Sequence, residues 1–199
     1  DLVDVKLHQN LFDASKSGAD YDLRTIFDQT LAKNHPESAV TFVDNHDTQR
    51  GQALESTVEE WFKPAAYALI LLREAGLPCV FYGDYYGISG EFAQESFQEL
   101  LDKLLDIRLN LAYGEQTDYF DDANCIGWTR QGKDDDGQPI AVLISNDQAT
   151  SKSMFVGPEW AGREFSDYLG NSSQIVTIDD QGWGEFPVEE KSVSVWSVR

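Results

Sequence analysis

The stretch Ala39-Val40-Thr41-Phe42-Val43-Asp44-Asn45-His46-Asp47 decides how the chain is read. Val40 to Val43 is a short β-prone run that leaves a turn signal at Pro36 and ends in four polar residues, two carboxylates flanking an amide and an imidazole. A buried parallel strand delivers chemistry at its carboxyl end in this way. Thr48 to Ser56 is polar and Gly-containing. Val58 to Ala75 is helical in pattern, with Pro64 near its first turns, a stop at Gly76 and Pro78 beyond. Trp61, Phe62, Ala65, Ala66, Leu69 and Ile70 make that helix apolar over much of its surface, so it should be sandwiched between other elements.

Upstream, Leu2 to Leu7 alternates apolar and polar residues and reads as a strand, followed by a loop at Ser15-Lys16-Ser17-Gly18. Asp22 to Ala32, with Leu23, Ile26, Phe27 and Leu31 at helical spacing, predicts an amphipathic helix. Downstream, Cys79 to Tyr82 predicts a third strand with a polar tip from Gly83 to Gly87, and Gln94 to Asn110 a long amphipathic helix. Three consecutive strand-helix units are the α/β pattern with a parallel sheet. From Tyr113 the helical period disappears. Eight short strands are expected at Thr117–Phe120, Cys125–Gln131, Ile140–Ser145, Lys152–Val156, Glu164–Asp167, Gln174–Ile178, Gly184–Val188 and Ser192–Val198, making an antiparallel β-sandwich after a boundary near residues 112 to 116. Three parallel strands cannot close a barrel, and their inner face would lie open.

The 199 residues are 41% apolar, enough for an ordinary globular core. Ala65 to Leu72, the longest apolar run, is far short of the roughly 20 residues a spanning helix needs, so no membrane segment is expected. With 35 acidic against 15 basic residues the formal charge is -20, which argues against nucleic acid and anionic membranes as partners. The chain opens on Asp1 without a leader pattern and is read as a piece of something longer. Cys79 and Cys125 are far apart, so neither a disulfide framework nor a metal site is implied, and Cys79 is expected to be an inert buried thiol. Two unpaired thiols favour the cytoplasm.

Three readings of the tip stand side by side. Asp44, His46 and Asp47 could bind a transition metal. The same residues could cap the loop from Thr48 to Ser56 through hydrogen bonds. Or they could form a carbohydrate subsite, where a carboxylate faces developing positive charge and imidazole and amide bond sugar hydroxyls. On an uninterrupted strand Asp44 and His46 would share one face and Asn45 and Asp47 the other. The acidic turn Asp134-Asp135-Asp136-Gly137 fails as a calcium loop: with Gly137 at the sixth place, Leu143 stands where a bidentate Glu is required. It is read as a solvated hairpin turn. The sequon at Asn171 matters only in a secreted chain, and most of the five tryptophans are assigned to the core.

Phe42 to Gln49 resembles the last of the short conserved blocks of the α-amylase superfamily of glycoside hydrolases. Glu55-Ser56-Thr57-Val58, Trp61-Phe62-Lys63-Pro64, Val80-Phe81-Tyr82-Gly83-Asp84, Gly127-Trp128-Thr129-Arg130 and Gly182-Trp183-Gly184-Glu185-Phe186 are similar to the bacterial liquefying α-amylases and their cytoplasmic relatives. The resemblance covers essentially the whole chain. It implies that residues 1–112 are strands six to eight of a (β/α)8 TIM barrel with their helices, and that residues 113–199 are the β-sandwich called domain C. The implied parent enzyme hydrolyses internal α-1,4-glucosidic bonds of starch, glycogen and maltooligosaccharides with retention. Asp47 would be its transition-state stabiliser, with His46 and Asn45 binding substrate. The nucleophile Asp, the acid/base Glu and most calcium ligands would lie upstream, so no cofactor is expected in this piece, which would be inactive alone. Its partners would be an α-glucan and either the N-terminal part of the same enzyme or an exchanged dimer. Some secreted relatives hold an extra metal between barrel and domain C; Ala123, Asn124 and Asn146 stand at that motif here, which argues against the site and for a cytoplasmic relative over a secreted one. The alternative is a non-catalytic carbohydrate-binding or structural module.

Overall fold

In the computed structural model, which describes residues 2–133 and 137–199, three strands form a parallel sheet in the order β1 (Leu2–Val3), β2 (Ala39–Phe42), β3 (Leu77–Cys79). Leu2 is opposite Ala39 and Val40 opposite Leu77. The first connection departs from the reading of the sequence. The strand expected over Leu2 to Leu7 stops at Val3, and helix α1 occupies Val5–Ser17, including most of the expected Ser15 to Gly18 loop. Asp4 causes the switch: one carboxylate oxygen accepts the N–H of Leu7 at 3.1 Å and caps the helix, while the other accepts that of Ala32 at 2.7 Å. Leu7, Leu11 and Ala14 then face the core at i, i+4 and i+7. The helix expected over Asp22 to Ala32 does not form. That segment holds a 3-10 turn at Leu23–Thr25, a positive φ of 61° at Gln29 that breaks any helix, and the start of the one-turn helix α2 (Leu31–Asn34).

Helix α3 (Lys63–Leu71) starts five residues later than its pattern suggested, because the N–H of Val58 is taken by Asp44 and the regular helix begins only at Lys63, with Pro64 in its first turn. It is buried from Ala65 onward, as its composition demands. Strand β3 ends at Cys79, and Tyr82–Tyr86 turns into a short helix, α4, where strand and tip were expected. Helix α5 (Gln98–Asn110) begins after Gln94, whose backbone pairs with Ile88 instead. Cys79 is exposed, which corrects the expectation of a buried thiol: its side chain lies on the uncovered face of the parallel sheet. Cys125 is the buried one, and burial pushes its thiol up to about 11.

All eight strands expected beyond residue 113 are present, with ends shifted by at most two residues. β4 (Gln116–Tyr119), β5 (Cys125–Arg130), β6 (Ile140–Ser145), β11 (Val193–Val198), β8 (Glu164–Asp167) and β9 (Ile175–Thr177) make one antiparallel sheet in that order. β7 (Thr150–Phe155) and β10 (Trp183–Val188) form a separate ribbon. The six-stranded sheet is a middle layer. Ala141, Leu143 and Trp196 pack with Met154, Phe186 and Val188 of the ribbon, while Ile126, Trp128, Val142, Ile144 and Val195 join α3 and α5 in a second cluster. Hence β6 is buried on both faces and reads as an unbroken apolar run. The acidic turn at residues 134–136 lies outside the described residues.

The last carbonyls of α3 are satisfied from two sides, that of Leu71 by the Arg108 guanidinium of α5 and that of Leu72 from across this interface by Arg130 and the Trp128 indole. Arg73, just past the helix, donates two bonds to Asp118 at 2.8 and 2.7 Å and lies against the rings of Phe27, Phe120 and Trp128. Gly114 has φ +75°, and a Cβ there would stand 2.2 Å from the Gly132 carbonyl oxygen. Trp128 and Trp196 are core, Trp61 and Trp160 are half-buried, and Trp183 is 38% exposed. Among the described residues no helix is long and apolar enough to cross a membrane.

Candidate functional site

At the end of β2 the alternation breaks. The side-chain oxygen of Asn45 accepts the N–H groups of Asp47 at 2.8 Å and Thr48 at 3.0 Å, an Asx turn that folds the chain back on itself. His46 and Asp47, which an extended strand would send to opposite faces, therefore come together, with Nε2 of the imidazole 3.4 Å from a carboxylate oxygen of Asp47. Both point outward; the His46 side chain is 83% exposed and that of Asp47 57%. Asp44 goes the other way and is buried. Of the four polar residues at the tip, Asn45 and Asp44 thus fix the loop, and His46 and Asp47 stand exposed on its outer side.

The loop is pinned from below by groups that the sequence reading did not single out. His8 of α1 is buried, stacks on Phe42 at 5.0 Å, and bridges the Val43 carbonyl to the Ser56 hydroxyl through its two ring nitrogens, at 2.6 and 2.8 Å. Lys63, fully buried at the start of α3, lies between Asp44 and Asp84, and the Tyr67 hydroxyl donates to the second oxygen of Asp84. Burial pushes the Asp44 carboxyl and the Tyr67 phenol above their usual ranges; for Asp44 the nearby Lys63 ammonium pulls the other way. The signal for this cluster was legible: a lysine inside an otherwise apolar helix can be buried only beside carboxylates.

Beside the tip, Val3, Val40, Phe42, Cys79, Val80, Phe81 and Tyr82 line an open apolar hollow of about 390 Å³ on the uncovered face of the parallel sheet. Asp44, Asn45 and His46 form its polar end. An exposed carboxylate beside an imidazole can stabilise positive charge and bind hydroxyls. Cleavage with retention needs a nucleophile and an acid/base carboxylate, and Asp44 can serve as neither because it is buried against Lys63. Among the described residues no group of three or more His, Cys, Asp or Glu could hold a metal ion. At the motif of the extra metal the donors are amides already in use: Asn146 donates to the carbonyls of Gly18 and Tyr21, and Asn124 donates to that of Ala19 and to Asn146. These residues do not fit a metal.

Residues 140–197 match the alpha-amylase C-terminal family model. Over 199 residues the chain is 52% identical to an alpha-amylase of Geobacillus stearothermophilus, covering all of this chain and 36% of that one. It is 52% identical to a glucan 1,4-alpha-maltohexaosidase of Bacillus sp. (strain 707), covering 98% and 38%, and 42% identical to a cytoplasmic alpha-amylase of Escherichia coli, covering 99% and 41%. The chain thus spans well under half the length of these relatives. Among solved structures its fold is similar to that of the cyclomaltodextrin glucanotransferase CldA, with a TM-score of 0.67 at 21% identity over 97% of this chain and 43% of that one. It is also similar to the alpha-amylase of Geobacillus thermoleovorans solved with acarbose, with a TM-score of 0.62 at 19% identity over 95% and 46%.

Proposed function

The chain belongs to the α-amylase family, where it corresponds to the C-terminal portion of its bacterial relatives, and from that premise we propose that it carries one of the three catalytic carboxylates of an endo-acting α-amylase. The substrate is an α-1,4-glucan: starch, glycogen or a maltooligosaccharide. Residues 1–112 act as the last three βα units of a (β/α)8 barrel, and residues 113–199 as the β-sandwich called domain C, packed on helices α3 and α5. The observation that carries the reading is the pairing of exposed His46 and Asp47 at the carboxyl end of a parallel strand, next to a sheet face whose apolar residues are uncovered: Val3 is 53% exposed and Leu77 60%. Such a face needs further strands. On this reading the preceding part of the same enzyme supplies them, and an exchanged dimer does so when the piece is alone.

In the reaction, two carboxylates about 5 Å apart on those preceding strands form and hydrolyse a glycosyl-enzyme intermediate. Asp47 faces the ring as positive charge develops and binds its hydroxyls. His46 and the free amide nitrogen of Asn45 hold the same sugar. A contact that strengthens only in the transition state is worth on the order of 3 kcal/mol. Without the other two carboxylates this piece is inactive by itself. Calcium, which the family implies, is assigned to residues outside this chain. The unpaired thiols and the amides at Asn124 and Asn146 favour a cytoplasmic enzyme. The test is Asp47→Asn in the full-length enzyme: turnover falls by about 10² to 10³ with KM within about threefold. Near-normal turnover would reduce the tip to a loop-fixing device.

A further inference from the structure

The charge cluster beneath the tip is costly to keep. Asp44, Lys63 and Asp84 are at most 2% exposed, and taking each ion out of water costs several kcal/mol that apolar packing would avoid. Stability of α3 does not require it, since the helix is buried along its length from Ala65 onward. What the cluster does is tie three separate segments together at one point. Lys63 Nζ bonds Asp84 on α4 and, at 3.1 Å, Gln94 in the following loop. It also approaches Oδ2 of Asp44 to 3.0 Å, a contact made by charge, since that oxygen has no well-directed hydrogen bond.

The other oxygen of Asp44 serves the loop that bears His46 and Asp47. It accepts the N–H of Val58 at 3.3 Å and the hydroxyl of Thr48 at 3.4 Å. The Thr48 hydroxyl oxygen accepts the N–H of Asn45 at 3.0 Å, and the Asn45 side chain accepts the N–H of Asp47. An unbroken chain of contacts therefore runs from the Lys63 ammonium through Asp44, Thr48 and Asn45 to the backbone of Asp47. It fixes both the start of the loop and its return at Val58.

We propose that Asp44, anchored by Lys63, is a positioning residue for Asp47, acting on the reaction only through the place of that carboxylate and touching no substrate. The proposal rests on the reading of Asp47 given above. Its test is a double-mutant cycle in the full-length enzyme. Asp44→Ala leaves Lys63 paired with Asp84 but frees the loop; kcat falls by about tenfold or more with KM within about threefold. In an Asp47→Asn background the same change costs less than about twofold, because there is no longer a carboxylate to misplace. Asp44→Asn, which keeps an acceptor for Val58 and Thr48, recovers much of the lost kcat. Should Asp44→Ala fail to fold by circular dichroism, Thr48→Val, which removes the hydroxyl that links Asp44 to the N–H of Asn45, takes its place in the cycle with Asp47→Asn. Equal costs of the Asp44 change in both backgrounds overturn the positioning role while leaving Asp47 catalytic. Near-normal turnover of Asp47→Asn alone overturns the reading beneath it.

Discussion

Replacing Arg73 by Ala should uncouple the helical half of the chain from its β-sheet half. The guanidinium is 9% exposed and lies 4.6, 5.1 and 5.3 Å from the ring centroids of Phe27, Phe120 and Trp128. Its fork on Asp118 is two-pronged, but that carboxylate is 41% exposed, so solvent screening limits the ion pair to about 1 kcal/mol. Packing of a desolvated cation among three rings contributes about 2 kcal/mol more. The total, about 3 kcal/mol, corresponds to roughly 9 °C in melting temperature for a chain of this size. Arg73→Lys keeps the charge but neither the fork nor the flat face, and should lose about half as much. Urea denaturation followed by tryptophan fluorescence reads both, with Trp128 as a local reporter. A loss below about 1 kcal/mol for Arg73→Ala would refute the assignment of Arg73 as the tie between the halves.

The two thiols should separate in labelling. Cys79 reacts with a maleimide in the 199-residue chain and is slowed more than about tenfold in the full-length enzyme, whereas Cys125, buried with its thiol pushed up to about 11, stays slow in both. Equal labelling of Cys79 in the two proteins would mean that nothing covers the parallel sheet. The Asp44 carboxyl, raised above its ordinary value chiefly by burial, contributes stability that is full below about pH 4 and is lost as pH rises through its folded value. Relative to Asp44→Asn, the parent should therefore lose stability as pH rises above about 4, and a difference in melting temperature that does not change with pH would count against it.

The β half was legible because its strands are short, alternate with period two and are separated by strong turn residues; even β6, buried on both faces, declares itself as an apolar run between turns. The first helix was not legible. Leu2-Val3-Asp4-Val5-Lys6-Leu7 satisfies a strand period as well as the start of a helix, and the decision rests with Asp4, whose oxygens accept the N–H of Leu7 and, from a segment distant in sequence, that of Ala32. Cys79 was misplaced for a related reason: its apolar neighbours mark a face to be buried, and among the described residues nothing covers that face. At the tip, residue type pointed to a site, but the pairing of His46 with Asp47 depends on an Asx turn that alternation along a strand does not foresee. The Lys63 cluster escapes a residue-by-residue reading: Asp44 reads as part of the tip, and only the apolar helix around Lys63 says that its charge must be buried beside carboxylates.

Whether the chain is one part of an α-glucan hydrolase is tested most directly by hydrolysis of a blocked maltoheptaoside, measured in parallel on the 199-residue polypeptide and on the full-length protein with calcium present. The account predicts cleavage by the full-length protein alone. Cleavage by neither would contradict the enzyme reading in favour of a carbohydrate-binding or structural module, and cleavage by the 199-residue chain alone would mean that its catalytic carboxylates have been assigned to the wrong place.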